Sequence, residues 1–263
     1  MVELSITDLA VAATLVLLLA LLSIRLQSSL SQQLIIAAIR TAVQLTLIGL
    51  VLKVLFANAS FGWVMLMALI MLLVAGREVM ARQERRFKGW LGYAVGTFSM
   101  FLSSFAVAIF ALVVILGEDP WYTPQYAIPL LGMLLGNTMN GIAIAMDRLT
   151  HTAWEQRAVI EARLMLGERW DSAISDYRRQ AIRSGMIPII NAMAAAGIVS
   201  LPGMMTGQIL AGAPPVEAVK YQILIMFLIS AGTGLGTLAA VTLGSKQLFD
   251  ERQRLCLDRL RKP

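Results

Sequence analysis

The chain has 263 residues, of which 58% are hydrophobic and 14% charged, and it carries a formal net charge of +6. An ordinary soluble domain holds about 25% charged residues, so this balance, with a mean hydropathy of +0.73, excludes one and indicates a membrane protein. The basic excess is not a nucleic-acid signature, because most of it falls between apolar runs, where membrane topology accounts for it.

Windows of about 19 residues give seven predicted spans, roughly 6–24, 34–56, 60–75, 90–116, 126–146, 186–210 and 217–243; the third is short and the sixth is interrupted. The fold class expected is an all-α polytopic membrane protein. The first span carries Glu3 and Asp8 where a cleavable signal would be basic, and Arg25 follows it, so it is expected to remain as an anchor. Arg25 and the basic clusters at 77–88, 148–183 and 246–262 all fall on one side when loops alternate, against Lys53 and Lys220 near the other. The positive-inside rule then predicts an external N-terminus and a cytoplasmic C-terminus. None of the 16 Asp and Glu falls deep in an apolar run. The intramembrane carboxylates of a proton-driven pump are therefore missing, and transport would be passive or powered from elsewhere.

Within the spans, Arg40 and Gln44 are four apart and share a helix face, and an arginine at depth needs a protein, water or solute partner. Asn137 and Asn140 in the fifth span and Asn191 in the sixth either present amide oxygens to a solute or hydrogen-bond neighbouring helices. Gly92 and Gly96, Gly132 and Gly136, Gly203 and Gly207, and Gly232 and Gly236 are spaced for close helix packing.

Between the fifth and sixth spans, about 147–185, the chain turns charged and Arg-rich. It reads as two helices divided near Gly167, with Ile160, Leu164, Met165 and Leu166 among the apolar positions before it and Asp171 or Ser172 as the cap after it. Gly167 suits a helix C-terminus with positive φ. A solvated helical hairpin would show the same pattern. In the sixth span, Ser200-Leu201-Pro202-Gly203-Met204-Met205 should break the helix and free backbone carbonyls, which a membrane tolerates only beside protein or a watery cavity. Met204 and Met205 are soft donors or ordinary packing residues. No G-x-x-x-x-G-K-[ST] loop occurs, so nothing here cradles ATP phosphates. The single Cys256 and single His151 make neither a disulfide framework nor a Cys/His metal cage, and no catalytic set or metal-ligand set stands out.

The run Glu161-Ala162-Arg163-Leu164-Met165-Leu166-Gly167 resembles the E-A-A-x-x-x-G coupling loop of bacterial ABC permeases, with Arg163 where a second alanine is usual and Ile187-Pro188 off the spacing of the later I-x-L-P. A closer resemblance covers nearly the whole chain. Arg40 with Gln44, Ile128-Pro129, Gly132, Gly136 and Asn137, Val199-Ser200-Leu201-Pro202-Gly203-Met204-Met205, Ala211-Gly212 and Lys220-Tyr221-Gln222 are similar to the bacterial Fet-type iron-export ABC permease family. That family also resembles the membrane subunit of a plant aluminium-tolerance ABC transporter. The resemblance implies a single transmembrane permease domain over 1–263, not itself an enzyme, which binds no cofactor and leaves ATP and Mg²⁺ to a separate cytosolic ABC subunit. It further implies a permease homodimer with two ATPase subunits in a bacterial inner membrane, probing the ATPase with Glu161, Ala162, Leu166 and Gly167. The expected cargo is iron, a related metal ion or a small solute, on a path beside Arg40, Gln44, Asn137, Asn191, Ser200, Pro202, Gly203, Met204 and Met205. An importer for a small polar solute, a passive channel and a polytopic membrane enzyme are the alternatives; short external loops favour export over import.

Overall fold

The computed structural model describes residues 5–25, 30–57 and 60–261; Glu3 and Lys262, which entered the charge argument, lie outside them. The chain divides into two compact units, residues 1–59 and 60–263. In the first, α1 (Ile6–Arg25) and α2 (Leu30–Ala57) pack on each other. A capping box opens α1: the Ser5 N–H donates to Asp8 Oδ2 at 2.8 Å, and the Asp8 N–H donates back to Ser5 Oγ at 3.3 Å. Inside α2 the Thr41 and Thr46 hydroxyls donate to the Ala37 and Ala42 carbonyls, each at 2.8 Å, which satisfies them within their own helix.

The second unit begins with α3 (Phe61–Ala81). The next span joins α4 (Trp90–Met100), a π-helical turn (Phe101–Phe105), α5 (Ala106–Phe110) and a second π-helical stretch (Ala111–Leu116). Then come α6 (Pro124–Glu155), α7 (Arg157–Met165), α8 (Trp170–Ala173), α9 (Ser175–Ala195), α10 (Gly203–Leu210) and α11 (Pro215–Gln247). Among the described residues six helical runs, α1, α2, α3, α4 to its second π stretch, α6 and α11, are long and apolar enough to cross a membrane. The protein is an integral membrane protein.

Three expectations about the spans change. The third is not short, because Arg77 and Glu78 continue the helix to Ala81. The fifth continues past residue 146 to Glu155. The sixth, 186–210, is not one span: its first half is the end of α9, its second half is α10, and the non-helical residues 196–202 separate them, with Gly197 at φ +82°.

The core of this unit is α6, packed against α11, α9 and α3. Leu134, Ile142 and Leu149 of α6 and Ala240 and Val241 of α11 are fully buried, whereas Trp90, Phe98, Leu102 and Phe110 face outward, as a lipid environment requires. Lipid gives helices no hydrophobic reason to associate, so close backbone approach matters more than in water. It is closest where α6 crosses α9: a Cβ on Gly185 would sit 2.5 Å from the Gly141 carbonyl oxygen and 2.8 Å from Ala145 Cβ. Of the predicted glycine pairs, Gly232 and Gly236 meet Leu134, Thr138 and Ser103, and Gly92 and Gly96 meet Phe87 and Val79, while Gly203 and Gly207 touch nothing within 4 Å. The tightest crossing thus lies outside the four-residue pattern, on glycines from two different helices.

Candidate functional site

The charged segment after α6 ends in a built turn. Helix α7 closes with the Gly167 N–H on the Leu164 carbonyl at 3.0 Å and the Glu168 N–H on the Arg163 carbonyl at 3.1 Å, with Gly167 at φ +91°. This is a Schellman motif, and it places glycine where a side chain would be strained. Arg163, the departure from the usual permease loop, pins the turn from behind. Its guanidinium contacts Glu168 Oε2 at 2.9 Å and Asp176 Oδ2 at 3.3 Å, and donates to the Ala173 carbonyl at 3.3 Å. In front, Met165 and Leu166 project into the open, 82% and 85% exposed. Glu161, Ala162 and Gly167 are exposed beside them.

The expected cap after Gly167 is corrected. Asp171 and Ser172 lie inside α8, whose N-cap position is Arg169, with no side-chain cap; the Ser172 hydroxyl instead donates to Glu168 Oε2 at 3.1 Å. The tail beyond α11 braces the same region, with the Trp170 N–H donating to Gln253 Oε1 at 3.2 Å and the Trp170 and Phe249 rings 5.5 Å apart. That tail also reaches the α3–α4 turn: the Lys88 N–H donates to the Arg259 carbonyl at 2.7 Å, the Arg261 N–H to the Arg86 carbonyl at 2.8 Å, and Phe87 and Leu260 are buried.

The charges of this turn carry a pH dependence of definite sign. A hydrogen bond from Arg163 holds the Glu168 carboxyl below its ordinary value, and one from Arg179, aided by Arg163, does the same for Asp176. Groups with lowered folded pKa values stabilise at pH above their unfolded values, about 4, and lose that contribution as pH falls through the lowered ones. Hydrogen-exchange protection at Gly167 and Glu168 is therefore expected to hold from neutral pH to about 4–5 and to fall below it. Arg163→Met should show less protection throughout and a flatter pH profile; an unchanged profile would detach the turn from this ion network.

A second feature is a polar cavity of about 850 Å³ between the end of α3, α6 and α9. Asn140, Asp147 and His151 line it from α6, Arg183, Ser184 and Pro188 from α9, and Arg82 from the end of α3. The Arg82 guanidinium donates to Asn140 Oδ1, and the Glu84 N–H donates to Asp147 Oδ1 at 2.8 Å, which ties the α3–α4 turn to α6. Pro188 lies inside α9 and has no N–H, so the Ser184 carbonyl loses its helical donor at the cavity wall, where polar neighbours are at hand. Sequence reasoning took Arg82, Arg148 and Arg183 as topological charges only. The missed signal is the seven-residue spacing from Asn140 to Asp147, with His151 four further on, which lays one polar stripe along α6.

The third feature is a cavity of about 510 Å³ under the 196–202 break, between the end of α9, α10 and α11. Here the Pro-Gly reading is corrected: Pro202 does not interrupt a helix but opens α10, with Gly203 at its first turn. The carbonyl at the break is crowded instead of freed, since Ala195 O accepts from the Val199 and Ser200 N–H groups at 3.0 and 3.1 Å. Pro202 and Met205 line the cavity together with Gln222, a residue to which sequence reasoning gave no role. Ser200, Gly203 and Met204 do not line it, and Asn191 is exposed on α9. Asn137 Nδ2 donates to the Met133 carbonyl of its own helix at 2.8 Å. Arg40 and Gln44 are exposed on α2, in the other unit. Within the second unit the structure brings Pro202 and Met205 together at this cavity and leaves Ser200, Gly203 and Met204 off its lining.

The chain as a whole has relatives among known proteins. The family model described as "Uncharacterised protein family (UPF0014)" matches residues 6–249. The chain is 42% identical to a UPF0014 membrane protein of Synechocystis, over 86% of this chain and 87% of that one. It is 33% identical to "Protein ALUMINUM SENSITIVE 3" of Arabidopsis thaliana, over 89% of this chain and 82% of that one. It is 29% identical to "Probable iron export permease protein FetB" of Escherichia coli, over 97% of this chain and 96% of that one. No solved structure matches the chain.

Proposed function

We propose, on the premise that the chain belongs to the UPF0014 family, that it is the permease subunit of an ATP-driven ABC exporter, in a bacterial inner membrane. The observation that carries this reading is the exposed Met165-Leu166 tip on a turn pinned by Arg163. Two bare apolar side chains in an otherwise charged segment suit a hydrophobic groove on a partner protein, and a stiff support lets them transmit force. The partner is a cytosolic ATPase that holds ATP and Mg²⁺, with Glu161, Ala162, Leu166 and Gly167 against it. Two permeases and two ATPases form the working complex. The cargo is a metal ion, in keeping with the name of the Escherichia coli relative. Pro202 and Met205 lie on its path.

The reading requires the basic side to be cytoplasmic. In a Cys256→Ser background, a cysteine replacing Glu118 is expected to react with an impermeant thiol reagent in intact cells, and one replacing Arg169 only after the membrane is opened. Labelling of the Arg169→Cys protein in intact cells would reverse the orientation. The function itself is tested in proteoliposomes: ion movement should need the ATPase subunit and hydrolysable ATP. Equal movement by the permease alone would make it a channel.

A further inference from the structure

We propose that the cavity beneath the 196–202 break binds a soft monovalent cation, copper(I) or silver(I), through the thioethers of Met193, Met205 and Met226 and the amide oxygen of Gln222. These four side chains line one 510 Å³ space and come from three helices, α9, α10 and α11. Gln222 is only 7% exposed, and its Oε1 has no hydrogen-bond partner among the described residues. Leaving such an oxygen unpaired in an apolar surround is unfavourable, and a cation at that oxygen removes the cost.

The donor set selects the ion. Thioethers and an amide are neutral, and no carboxylate, imidazole or thiol lines the space. Hard divalent ions take oxygen donors and need charged ones to shed their water. Soft sulfur donors favour a monovalent d¹⁰ ion. Among the described residues no group of three or more His, Cys, Asp or Glu offers a competing metal site. The thioether arms have three rotatable bonds each and can close around an ion smaller than the resting cavity. Leu201, Val219 and Phe227 complete the walls with apolar surface. A purely apolar occupant would fill the same walls but leave the Gln222 oxygen unpaired.

As a cargo site this rests on the permease reading; as a binding site it does not. The full chain, purified in detergent in a Cys256→Ser background, is titrated with silver(I), and with copper(I) against a chromophoric chelator. One equivalent of each is expected to bind. Met205→Leu should weaken binding at least tenfold, and the triple Met193→Leu, Met205→Leu, Met226→Leu protein should lose it. Leucine conserves side-chain volume, so the metal-free unfolding temperature serves as the folding control. Gln222→Leu tests the oxygen separately and should weaken binding several-fold. Absence of stoichiometric binding by the parent protein, or equal binding by the folded triple variant, would overturn the proposal. So would an organic molecule found by native mass spectrometry in parent and triple variant alike. Binding with no ATP-driven silver movement in proteoliposomes would instead count against the permease reading and leave the site standing.

Discussion

Replacing Gly185 by valine is expected to abolish accumulation of folded protein. Even alanine would put its Cβ 2.5 Å from the Gly141 carbonyl oxygen, a backbone atom that no rotamer change can move away. Two effects oppose each other at this site. Alanine in place of glycine favours a helix by about 1 kcal/mol, whereas overpacking costs about 1–3 kcal/mol or more. Contact with backbone on a neighbouring helix puts the second at the top of its range, so Gly185→Ala should be destabilising and Gly185→Val more so. Gly136→Ala in α6, where a Cβ meets nothing within 4 Å, should be neutral or stabilising by about 1 kcal/mol. Thermal unfolding of detergent-purified protein separates these outcomes. A Gly185→Ala protein as stable as its Gly136→Ala counterpart would show that α9 can shift on α6 at little cost.

The second large effect is expected at the tip of the α7 turn. Met165→Asp with Leu166→Asp should leave the isolated permease as stable as before, because both side chains are exposed. It should nevertheless prevent co-purification with the ATPase. Apolar anchors at the centre of an interface contribute about 2 kcal/mol or more each, and about 1.4 kcal/mol is tenfold in affinity. Losing both would weaken the complex by two to three orders of magnitude. Intact co-purification of the double variant would place the ATPase contact elsewhere on the segment.

Much of this was legible in the sequence, and the reasons differ from element to element. Long apolar runs bounded by charge gave four of the six long helices close to their extents and cut the third and fifth short, since a bilayer fixes the length a span needs but not how far a helix continues beyond it. The α7 turn was readable because positive φ at a helix end selects glycine. The interruption of the sixth span was expected at 200–205, whereas the helix ends at Ala195 and resumes at Gly203; proline stops a helix N-terminal to itself and equally starts one, and sequence alone does not choose. The polar cavity stayed hidden because a basic residue reads the same whether it faces bulk water or a cleft between helices. Gln222 was hidden for a simpler reason, as its neighbours Met193 and Met205 come from other helices and only the tertiary fold brings them to it. Arg163, which looked like a lapse from a motif, turned out to hold the turn together.

Helix α9 runs unbroken from the charged segment to the break, and Gly185, its closest contact with α6, stands ten residues from Ser175 and ten from Ala195. At about 1.5 Å per residue, each arm is roughly 15 Å long. Were α9 to rock at that contact, it would be a balance with equal arms: a push on one end would return at the other with the same travel and the opposite sense, multiplying neither force nor stroke. Its weakest point is Pro188, three residues along the far arm, so under load the beam would flex on the side of the break before the side of the tip.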